Sequence, residues 1–523
     1  MEKESSSLGI EFGSTRIKAV LINAENQVVA IGNHEWENQQ ENGYWTYSLE
    51  AVWDGLAQVY DNLSQAYYAQ YGKFLTTEVD GLGISAMMHG YLAFDKFGNL
   101  LVPFRTWRNN HTATAASQLS NLFDYNIPER WSIAHLYQAI LDNEAHISDI
   151  AYVTTLAGYV HWRLTGQKVL GIGDASGMFP INPLTQTYDL DLVNKFEAQI
   201  ADRHLPWRLL DILPEVLVAG EFAGKLTVAG ARRLDSYSRL KSGIIFCPPE
   251  GDAGTGMIAT NSIIPKTGNV SAGTSAFAMI VLEKPLLKKY EEIDLVTTPL
   301  GDLVAMVHAN NCTSDINAWI NLFAEFSKVM GFEINRNDLF TKLFQLSAAA
   351  DLDCGGLLSY GYLSGENLTK VNQGFPLLIR QDDSQLTLAN FMRAHLISAI
   401  ATLKIGFDLL QIEEGIQIER LTAHGGYFKT KDIGQTLLAA LVDLPIIVNE
   451  TASEGGAFGM ALLARYRLEK LQGRKLFDYL NQVFSTTPIS EICASPDDLT
   501  SITAYLTRFK KGIRLERAVA EIL

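Results

Sequence analysis

Two short stretches place glycine beside hydroxyl side chains in a turn between apolar segments. They are residues 13–15 (Gly-Ser-Thr) and 273–275 (Gly-Thr-Ser), here named the first turn and the second turn. Glycine lets a ligand approach the backbone, and successive N–H groups with neighbouring hydroxyls can hold an anion such as phosphate. An ordinary Gly-Ser hairpin explains either stretch alone. Two copies about half a chain apart instead favour two similar halves that hold a polyphosphate.

Asp252 lies among glycines between a predicted strand, Ile244–Phe246, and an apolar helix. A carboxylate in this place can accept the proton of a substrate hydroxyl during phosphoryl transfer. Aspartate is also a favoured helix N-cap, so a structural cap is the alternative for this residue taken alone. Its position shortly before the second turn favours the catalytic interpretation.

Three polar clusters in the first half of the chain offer side chains suited to a polyol. They are residues 87–90 (Met-Met-His-Gly), 105–109 (Arg-Thr-Trp-Arg-Asn) and 173–177 (Gly-Asp-Ala-Ser-Gly). Carboxylate, amide and imidazole groups can bind hydroxyls, and an aromatic face can cover the C–H side of a sugar. Each cluster also has a structural explanation, since His89 or Trp107 can be core and Asp174 can cap a turn.

Gly425 and Gly426 follow a predicted strand and precede a predicted helix, where a ligand can approach the backbone closely. A glycine turn required only for packing is the structural alternative. With His424 they also resemble an esterase oxyanion segment, but the chain lacks the Gly-x-Ser-x-Gly elbow of those enzymes. A Walker motif is missing as well, which argues against a P-loop nucleotide site.

The elements that must position these residues alternate between strands and helices. In the first half, a hairpin over residues 8–22 is followed by a strand at Val28–Ile31, a helix with its apolar stripe from Leu49 to Leu63, and a strand at Asp80–Ser85. This order predicts an α/β layer with a mixed sheet. From Trp107 to about Pro206 the pattern is mainly helical and predicts an insertion that forms one wall of a cleft.

The second half repeats the scheme. A hairpin at 268–281 precedes a strand at Leu303–Val307 and a helix that ends near Gly331. The apolar residues from Leu388 to Phe407 predict one long helix with a single apolar stripe. After it come a strand over 418–426, a helix ending near Ala440 and a strand at Pro445–Val448.

Length and composition limit the class of protein. A chain of 523 residues with 47% hydrophobic content favours two major domains. The net charge of −16 argues against nucleic acid or an anionic membrane as the main partner. The polar start, Met1–Ser7, and the lack of roughly twenty consecutive apolar residues predict a cytoplasmic protein. The four cysteines show no Cys-x-x-Cys spacing that would predict a zinc site or a disulfide framework.

Taken in order, these stretches resemble the FGGY carbohydrate kinases, a branch of the actin-like and sugar-kinase ATPase superfamily. Ile10–Val20 resembles the first phosphate motif, Val270–Ile280 the second, Leu421–Leu444 the adenosine motif, Ala457–Ala464 the helix that closes the nucleotide site, and Gly251–Ala253 the segment with the catalytic aspartate. On the sugar side, Met88–Gly90, Asp174–Ser176 and Leu363–Glu366 resemble three further family motifs.

The resemblance implies an α/β fold with two actin-like (ribonuclease H-like) domains. Each would be a mixed five-stranded sheet flanked by helices, with a cleft between the domains. Residues 1–260 would bind the sugar and carry the first phosphate motif, and residues 261–523 would bind the nucleotide. The implied activity is ATP-dependent phosphorylation of a ketose, a pentulose such as xylulose or ribulose. Alternatives are a kinase for a hexulose, deoxyketose, polyol or gluconate, and an ATP-driven protein clamp.

The resemblance also implies a role for individual residues. Asp252 would be the general base, and Glu11 would hold Mg²⁺ through water. The implied ATP contacts are Gly13, Ser14, Thr15, Lys18, Gly273, Thr274, Ser275, Gly425, Gly426 and Lys429. The implied sugar contacts are Met88, His89, Trp107, Arg108, Asn109, Asp174 and Asp252. The expected partners are a sugar and ATP, with no nucleic acid or membrane, and a homodimer is left open.

The chain departs from the family pattern at three places. Glu11 stands where the family usually has Asp. The usual Trp-x-Asp-x-Arg is Trp107-Arg108-Asn109-Asn110-His111, and the usual Gly-Glu-Arg is Gly365-Glu366-Asn367. Because the last two departures lie on the sugar side, they leave the identity of the sugar open more than the use of ATP.

Overall fold

The structure is a computed structural model that describes residues 5–76, 78–449 and 455–523. The first four residues of the polar N-terminal stretch lie outside this part of the chain.

The strands are numbered along the chain. They are β1 (Ser6–Phe12), β2 (Arg16–Ile22), β3 (Val28–Glu35), β4 (Gln39–Glu41), β5 (Tyr44–Thr46), β6 (Val79–Ala86), β7 (Leu92–Phe94), β8 (Tyr152–Thr154), β9 (Val169–Gly171), β10 (Ile181–Asn182), β11 (Thr187–Tyr188), β12 (Glu215–Leu217), β13 (Ile245–Phe246), β14 (Glu250–Gly251), β15 (Thr267–Ala272), β16 (Ala276–Val281), β17 (Asp294–Thr297), β18 (Leu303–Ala309), β19 (Leu358–Tyr360), β20 (Leu377–Ile379), β21 (Arg420–His424), β22 (Ile446–Asn449) and β23 (Ile489–Ile492).

The α-helices are numbered in the same way. They are α1 (Leu49–Tyr71), α2 (Ala113–Phe123), α3 (Ser132–Leu141), α4 (Leu156–Thr165), α5 (Ile172–Ala175), α6 (Leu190–Gln199), α7 (Leu209–Ile212), α8 (Val228–Leu234), α9 (Asp252–Ala259), α10 (Ser314–Val329), α11 (Arg336–Leu346), α12 (Leu388–Ala401), α13 (Leu403–Asp408), α14 (Ile433–Val442), α15 (Gly455–Lys470), α16 (Leu476–Phe484) and α17 (Pro496–Ile522).

The chain divides into two compact units, and neither is continuous in sequence. Unit 1 comprises Met1–Ile263, Asp294–Val304 and Glu454–Thr486. Unit 2 comprises Ile264–Ile293, Ala305–Ser453 and Thr487–Leu523. The separate expectation that residues 1–260 bind the sugar and 261–523 the nucleotide stays a prediction.

The sheet of unit 1 is built around the hairpin that contains the first turn. Its strands follow the order β13-β6-β1-β2-β3, and β14 also pairs with β6. The β1–β2 and β2–β3 pairs are antiparallel, whereas β1, β13 and β14 each run parallel to β6. The sheet is mixed as predicted, but within the described residues it has six strands rather than five, because β13 and β14 pair with different parts of β6.

The sheet of unit 2 repeats this arrangement around the second turn. Its strands follow the order β18-β16-β15-β21-β22-β23. The hairpin β15–β16 is antiparallel, and β15–β21 and β21–β22 are parallel, as β1–β6 is in unit 1. This sheet also exceeds the predicted five strands, because β23 adds to β22 in the antiparallel sense. The internal repeat inferred from the two turns is therefore present in the strand order.

Helices cover both faces of the unit 1 sheet. The apolar side chains of α1, including Val52, Leu56 and Val59, share one buried core with alternate residues of β1 and β2. On the opposite face α15 packs against β1, where a Cβ added to Gly9 would lie 2.1 Å from the carbonyl oxygen of Ala457. Glycine at position 9 therefore allows α15 to lie directly on the sheet.

Two segments differ from the sequence-based expectation. Residues 107–206 are mainly helical as predicted, with helices α2 to α6, but they also contain the short strands β8 to β11, which the pattern did not predict. The predicted long helix is two helices, α12 and α13, with a bend of 48°. Nearly every side chain of α12 is buried, so it has no single apolar stripe. Leu403 and Phe407 lie on α13, beyond the break at Thr402.

In the described part of the chain, no single helix is long and apolar enough to cross a membrane. The bent pair formed by α12 and the helical segment 403–413 meets that test by length and composition only.

Candidate functional site

The first turn joins β1 to β2 in unit 1, and aromatic side chains hold it from outside. The Trp36 indole N–H donates to the carbonyl of Gly13 (2.7 Å), and the Tyr47 hydroxyl donates to the carbonyl of Ser14 (2.6 Å). The Trp107 indole N–H donates to the Ser14 hydroxyl (3.2 Å). Because the carbonyls already have partners, the conformation of the turn is fixed before any ligand binds. Trp107 therefore contacts the first turn, and its implied role as a sugar contact stays a prediction.

The second turn, in unit 2, is held in the same way by different groups. The carbonyl of Gly273 accepts hydrogen bonds from the backbone N–H (2.9 Å) and the hydroxyl (2.7 Å) of Thr313. The carbonyl of Thr274 accepts from the N–H of Cys312 (3.0 Å). A Cβ added to Gly273 would meet no described atom within 4 Å. The second turn is thus a fixed backbone feature with open space beside its glycine, as an anion site requires.

Gly425 and Gly426 lie where β21 ends in unit 2. Gly425 has φ of +105°, and an added Cβ would lie 2.4 Å from the carbonyl oxygen of Ala272, at the end of β15. Gly426, in contrast, has open space at the position of a Cβ among the described atoms. Lys429 is exposed and follows this turn. Gly425 therefore has a structural requirement, whereas the space beside Gly426 is available to a ligand.

Asp252 is the first residue of α9 in unit 1. Its Oδ1 accepts hydrogen bonds from the backbone N–H groups of Met88 (3.1 Å) and Ala253 (2.9 Å). The N-cap position belongs to Gly251, so Asp252 is not the N-cap that the structural alternative proposed. Burial raises the pKa of the Asp252 carboxyl to about 6. A carboxylate in this state is ionised at neutral pH and is a stronger base than an exposed aspartate.

Met88, His89 and Asp174 lie close to Asp252 in unit 1. A Cβ added to Gly251 would lie 2.8 Å from Cγ of Met88 and 3.1 Å from Oδ1 of Asp174. His89 is buried with φ of +71°, and its Nδ1 hydrogen-bonds the carbonyl of Gly177 (3.2 Å). Two of the three predicted polar clusters, 87–90 and 173–177, are therefore assembled beside Asp252.

Arg108 and Asn109 have contacts that tie their own loop together. The Arg108 guanidinium lies over the ring of Trp45, 4.5 Å from its centroid. The Asn109 amide accepts from the N–H of Trp45 (2.8 Å) and donates to its carbonyl (2.9 Å). Both ends of the Asn109 amide therefore have backbone partners, and the implied sugar contacts of Arg108 and Asn109 stay predictions.

Glu250 was not singled out from the sequence, yet it lies at the centre of this cluster. It is buried and directly precedes Gly251 and Asp252. Its carboxyl accepts hydrogen bonds from the N–H groups of Gly173 (3.3 Å) and Asp174 (2.9 Å). The signal in the sequence was a carboxylate within the apolar and proline-rich segment that leads to Asp252.

Glu11 is the second-to-last residue of β1 and lies opposite Lys18 on β2. Its Oε2 accepts from the N–H of Ala457 at the start of α15 (3.1 Å). Burial and the charge of Asp252 raise the pKa of Glu11 to about 7, although Lys18 and the Ala457 hydrogen bond act in the opposite direction. The two carboxyl groups therefore repel each other when both are ionised, and a cation relieves this repulsion.

In the described ranges no group of three or more His, Cys, Asp or Glu side chains is arranged to hold a metal. Mg²⁺ in phosphotransferases is usually bound by one or two carboxylates together with substrate phosphates and water. The single buried carboxylate of Glu11 fits a metal held in this manner, with the remaining ligands from phosphates and water.

Two family models match most of the chain. The model described as FGGY family of carbohydrate kinases, N-terminal domain, matches residues 6–235, and the model of the C-terminal domain matches residues 268–468. The chain belongs to the FGGY family of carbohydrate kinases. The resemblance inferred from the motifs is confirmed. Members use ATP as phosphate donor, so this FGGY kinase is a phosphotransferase with an alcohol group of a sugar as acceptor.

Individual relatives of this FGGY kinase differ in the substrate that their names give. It is 23% identical to a xylulose kinase of Haemophilus influenzae over 86% of this chain and 89% of the relative. It is 24% identical to a glycerol kinase of Saccharolobus islandicus over 87% of both chains. The crystal structure of a gluconate kinase from Lactobacillus acidophilus superposes with a TM-score of 0.79 at 16% identity, covering 99% of this chain and 98% of that chain. The predicted fold class is confirmed.

Proposed function

We propose that this FGGY kinase phosphorylates a ketose, a pentulose such as xylulose or ribulose, with Asp252 as general base. The observation that carries the proposal is the position of the Asp252 carboxylate, which two backbone N–H groups hold beside Met88 and Asp174. Asp252 would orient the acceptor hydroxyl and take its proton as the phosphoryl group is transferred. Its pKa of about 6 supports this role at neutral pH.

The sugar would be bound by the side chains assembled around Asp252. Asp174 can bind a hydroxyl, and the buried His89 restricts the space next to Met88. Trp107 would lie at the edge of this group of side chains, where its indole N–H donates to the Ser14 hydroxyl of the first turn. Arg108 and Asn109 would act only through the loop that they stabilise.

The phosphates would be bound by backbone N–H groups and hydroxyls of the two turns. The residues proposed for this role are Gly13, Ser14, Thr15 and Lys18 in unit 1, and Gly273, Thr274 and Ser275 in unit 2. The space beside Gly426 supports its proposed place next to the adenosine, with Lys429 as the exposed cation nearby. Fixed N–H donors of this kind stabilise the charge that develops on the phosphates.

Glu11 would hold Mg²⁺, largely through water. The ion neutralises charge on the transferring phosphates when it is bound. Glu11 itself keeps its carboxylate in place by accepting the N–H of Ala457, and Lys18 lies opposite it on β2.

The acceptor sugar is the finer part of the proposal. The names of the relatives include xylulose, glycerol and gluconate kinases at low identity (23%, 24% and 16%), so a hexulose, deoxyketose, polyol or gluconate is the alternative. Membership of a kinase family decides against the ATP-driven protein clamp. A cytoplasmic location and a homodimer stay predictions.

A coupled ADP-release assay across pentuloses, hexuloses, gluconate and glycerol tests the proposal. We expect the highest kcat/KM for a pentulose, and ADP release without acceptor near the background of the Asp252→Asn variant. A higher kcat/KM for gluconate or glycerol contradicts the pentulose assignment. ADP release that no acceptor stimulates contradicts the ketose kinase altogether.

A further inference from the structure

Asp174 and Glu250 are two buried carboxyl groups next to each other in unit 1. Their exposed fractions are 0% and 1%. One oxygen of Glu250 accepts from the N–H of Gly173 (3.3 Å) and the other accepts from the N–H of Asp174 (2.9 Å). The Glu250 carboxyl therefore holds the backbone of the residue whose side chain is proposed to bind the sugar.

The surrounding backbone leaves space for the Glu250 carboxyl at two glycines. A Cβ added to Gly171 would lie 2.3 Å from one Glu250 oxygen, and a Cβ added to Gly173 would lie 2.5 Å from the other. Any side chain at either position would displace the carboxyl or the segment that carries it. Both glycines therefore leave room for Glu250 to reach the N–H groups of α5.

The side chain of Asp174 is fixed on one side and unpaired on the other. Its Oδ2 accepts from the hydroxyl of Thr155 (2.6 Å). Its Oδ1 is buried and has no hydrogen-bond partner among the described residues. That oxygen lies beside Gly251, the residue before Asp252. A buried acceptor left without a protein partner is best satisfied by a bound ligand.

Among the described residues, no Lys or Arg side chain pairs with these two carboxyl groups. Burial and the charge of Asp174 raise the pKa of Glu250 to about 8, and only backbone N–H groups oppose this shift. Burial and the charge of Asp252 raise the pKa of Asp174 to about 8, although the Thr155 hydroxyl opposes it. Tyr188 also faces Asp174, and Cys247 faces Glu250. Burying a carboxyl pair without a cation is unfavourable, which is typical of a functional site rather than of a packed core.

We infer that Glu250 is a positioning residue for the acceptor: by fixing the N–H groups of Gly173 and Asp174, it directs Asp174 Oδ1 to a sugar hydroxyl beside Asp252. Glu250 itself does not touch the sugar. This inference rests on the proposed sugar-binding role of Asp174 and does not depend on which sugar is bound.

The test compares Glu250→Gln with the wild type, using whichever acceptor the wild type phosphorylates best. In Glu250→Gln, the amide nitrogen would face one of the two backbone N–H groups. Two donors cannot form a hydrogen bond with each other, so the Asp174 backbone must shift. We expect the KM for the acceptor to rise about tenfold or more, because a buried N–H group loses its hydrogen-bond partner, and the KM for ATP to stay within about twofold. Glu516→Gln is the matched control, because Glu516 is also fully buried but lies on α17 in unit 2.

The pH profile gives a readout that loss of stability would not produce. In the wild type the acceptor KM should change as pH rises through about 8, where Asp174 and Glu250 titrate. Charges of the pair repel each other, so removing the Glu250 charge lowers the pKa of Asp174. The change in acceptor KM should therefore move to lower pH in Glu250→Gln.

Three results overturn the inference: an unchanged acceptor KM, an equal rise in both KM values, or the same rise in Glu516→Gln. If Glu250→Gln does not fold, Glu250→Asp takes its place. That variant keeps the carboxyl group but is one methylene shorter, and it should raise only the acceptor KM, by about threefold; an unchanged KM overturns the inference equally. A wild type that prefers gluconate or glycerol contradicts the pentulose proposal alone, because the variants are then compared with that acceptor.

Discussion

At the residue scale, Asp252 combines two hydrogen bonds from backbone N–H groups with burial that raises its pKa to about 6. The variant Asp252→Asn keeps the shape of the side chain but cannot take a proton. We expect kcat to fall roughly a hundredfold or more, with both KM values nearly unchanged. Steady-state kinetics with the best acceptor measure this.

Asp235→Asn is the control for that variant. Asp235 is also a buried aspartate of unit 1 that accepts backbone N–H groups, from Tyr237, Arg239 and Leu240. Its replacement should lower the melting temperature and leave kcat near that of the wild type. Near-normal turnover in Asp252→Asn would show that Asp252 is structural only.

The pKa of Asp252 also predicts a pH dependence. A general base must be ionised, so kcat/KM should fall as pH is lowered through about 6 rather than near the ordinary value of 3.8. A profile that stays flat down to pH ~4 would contradict the assignment of Asp252 as the base.

Glu11 gives a prediction in which activity and stability change in opposite directions. Glu11→Gln loses the charge proposed to hold the metal, so it should need much more Mg²⁺ and still not reach the full rate. Glu11→Asp keeps the charge and should resemble the wild type. Turnover measured against Mg²⁺ concentration tests both variants, and equal curves for Gln and wild type would exclude Glu11 from metal binding.

The stability of the Glu11 variant follows from linkage. The folded-state pKa of about 7 exceeds the ordinary value of 4.5, so the folded state binds the proton more tightly and loses stability as pH rises between these values. The glutamine in Glu11→Gln does not ionise, so the variant does not lose stability in this way. Glu11→Gln should therefore become more stable than the wild type as pH rises to about 7 and above, as thermal unfolding at several pH values would measure.

At the element scale, the two turns occupy equivalent places in their hairpins but are held by different groups. Trp36 and Tyr47 supply side-chain donors to the first turn, whereas Cys312 and Thr313 supply donors to the second, mostly from the backbone. The pattern of glycine and hydroxyl residues predicted both turns because it is local. It could not predict the aromatic donors, since a tryptophan distant in sequence resembles any core aromatic until the chain is folded.

Gly273→Val and Gly426→Val test the turns as nucleotide sites. Neither added Cβ meets a described atom within 4 Å, so folding should be little affected. The added methyl groups would instead occupy space proposed for ATP. We expect weaker ATP binding in nucleotide titrations, with a melting temperature close to that of the wild type.

Gly425→Val provides the contrast. Its φ of +105° and the approach of 2.4 Å to Ala272 predict a loss of stability whether or not nucleotide binds nearby. If Gly273→Val and Gly426→Val lose stability as Gly425→Val does, the turns are structural and not nucleotide sites.

Sequence periodicity identified the central strands of both sheets and several of the helices, and its errors have physical causes. Strands and amphipathic helices alternate in a way that depends on near neighbours, so β1 to β3, α1 and β6 were predicted close to their observed positions. The prediction of a single apolar stripe on α12 was wrong because polar side chains on the other faces of this helix are buried as well. Asn390 donates to Asp351, and the Arg393 guanidinium donates to Ser501. Such partners are distant in sequence.

Dependence on partners that are distant in sequence also limited the prediction of the candidate site. Asp252, Asp174 and His89 have chemical types that motifs can single out, and the structure brings them together. Glu250 escaped notice because its role depends on the N–H groups of a segment about 75 residues earlier. The contacts of Asn109 could not be predicted for a similar reason, since an amide in a polar cluster looks available until its partner, Trp45, is known.

At the scale of the whole molecule, unit 1 requires residues that lie near the end of the sequence. Helix α15 packs on β1, where Gly9 meets the backbone of Ala457, and a Cβ added to Gly459 would lie 2.0 Å from the carbonyl oxygen of Thr255 on α9. A fragment of residues 1–263 would expose the surface that α15 covers. We expect it to lack cooperative thermal unfolding when expressed alone.

The control is a single-chain unit 1 in which short Gly/Ser linkers join residues 5–263, 294–304 and 455–486. This chain should unfold cooperatively, because it contains every described part of the unit. Cooperative unfolding of the fragment 1–263 by calorimetry would show that α15 is dispensable for folding.

The place of α15 in the sequence also sets the order of events on the ribosome. β1 and β6 emerge early, but the helix that covers them is synthesised only after residues 264–453 have been added. At ~5–20 residues per second this interval lasts roughly 10–40 s, far longer than most small domains need to fold. During translation, the face of the unit 1 sheet that α15 covers therefore stays exposed for this interval. Nascent-chain chaperones have their longest opportunity to bind this face.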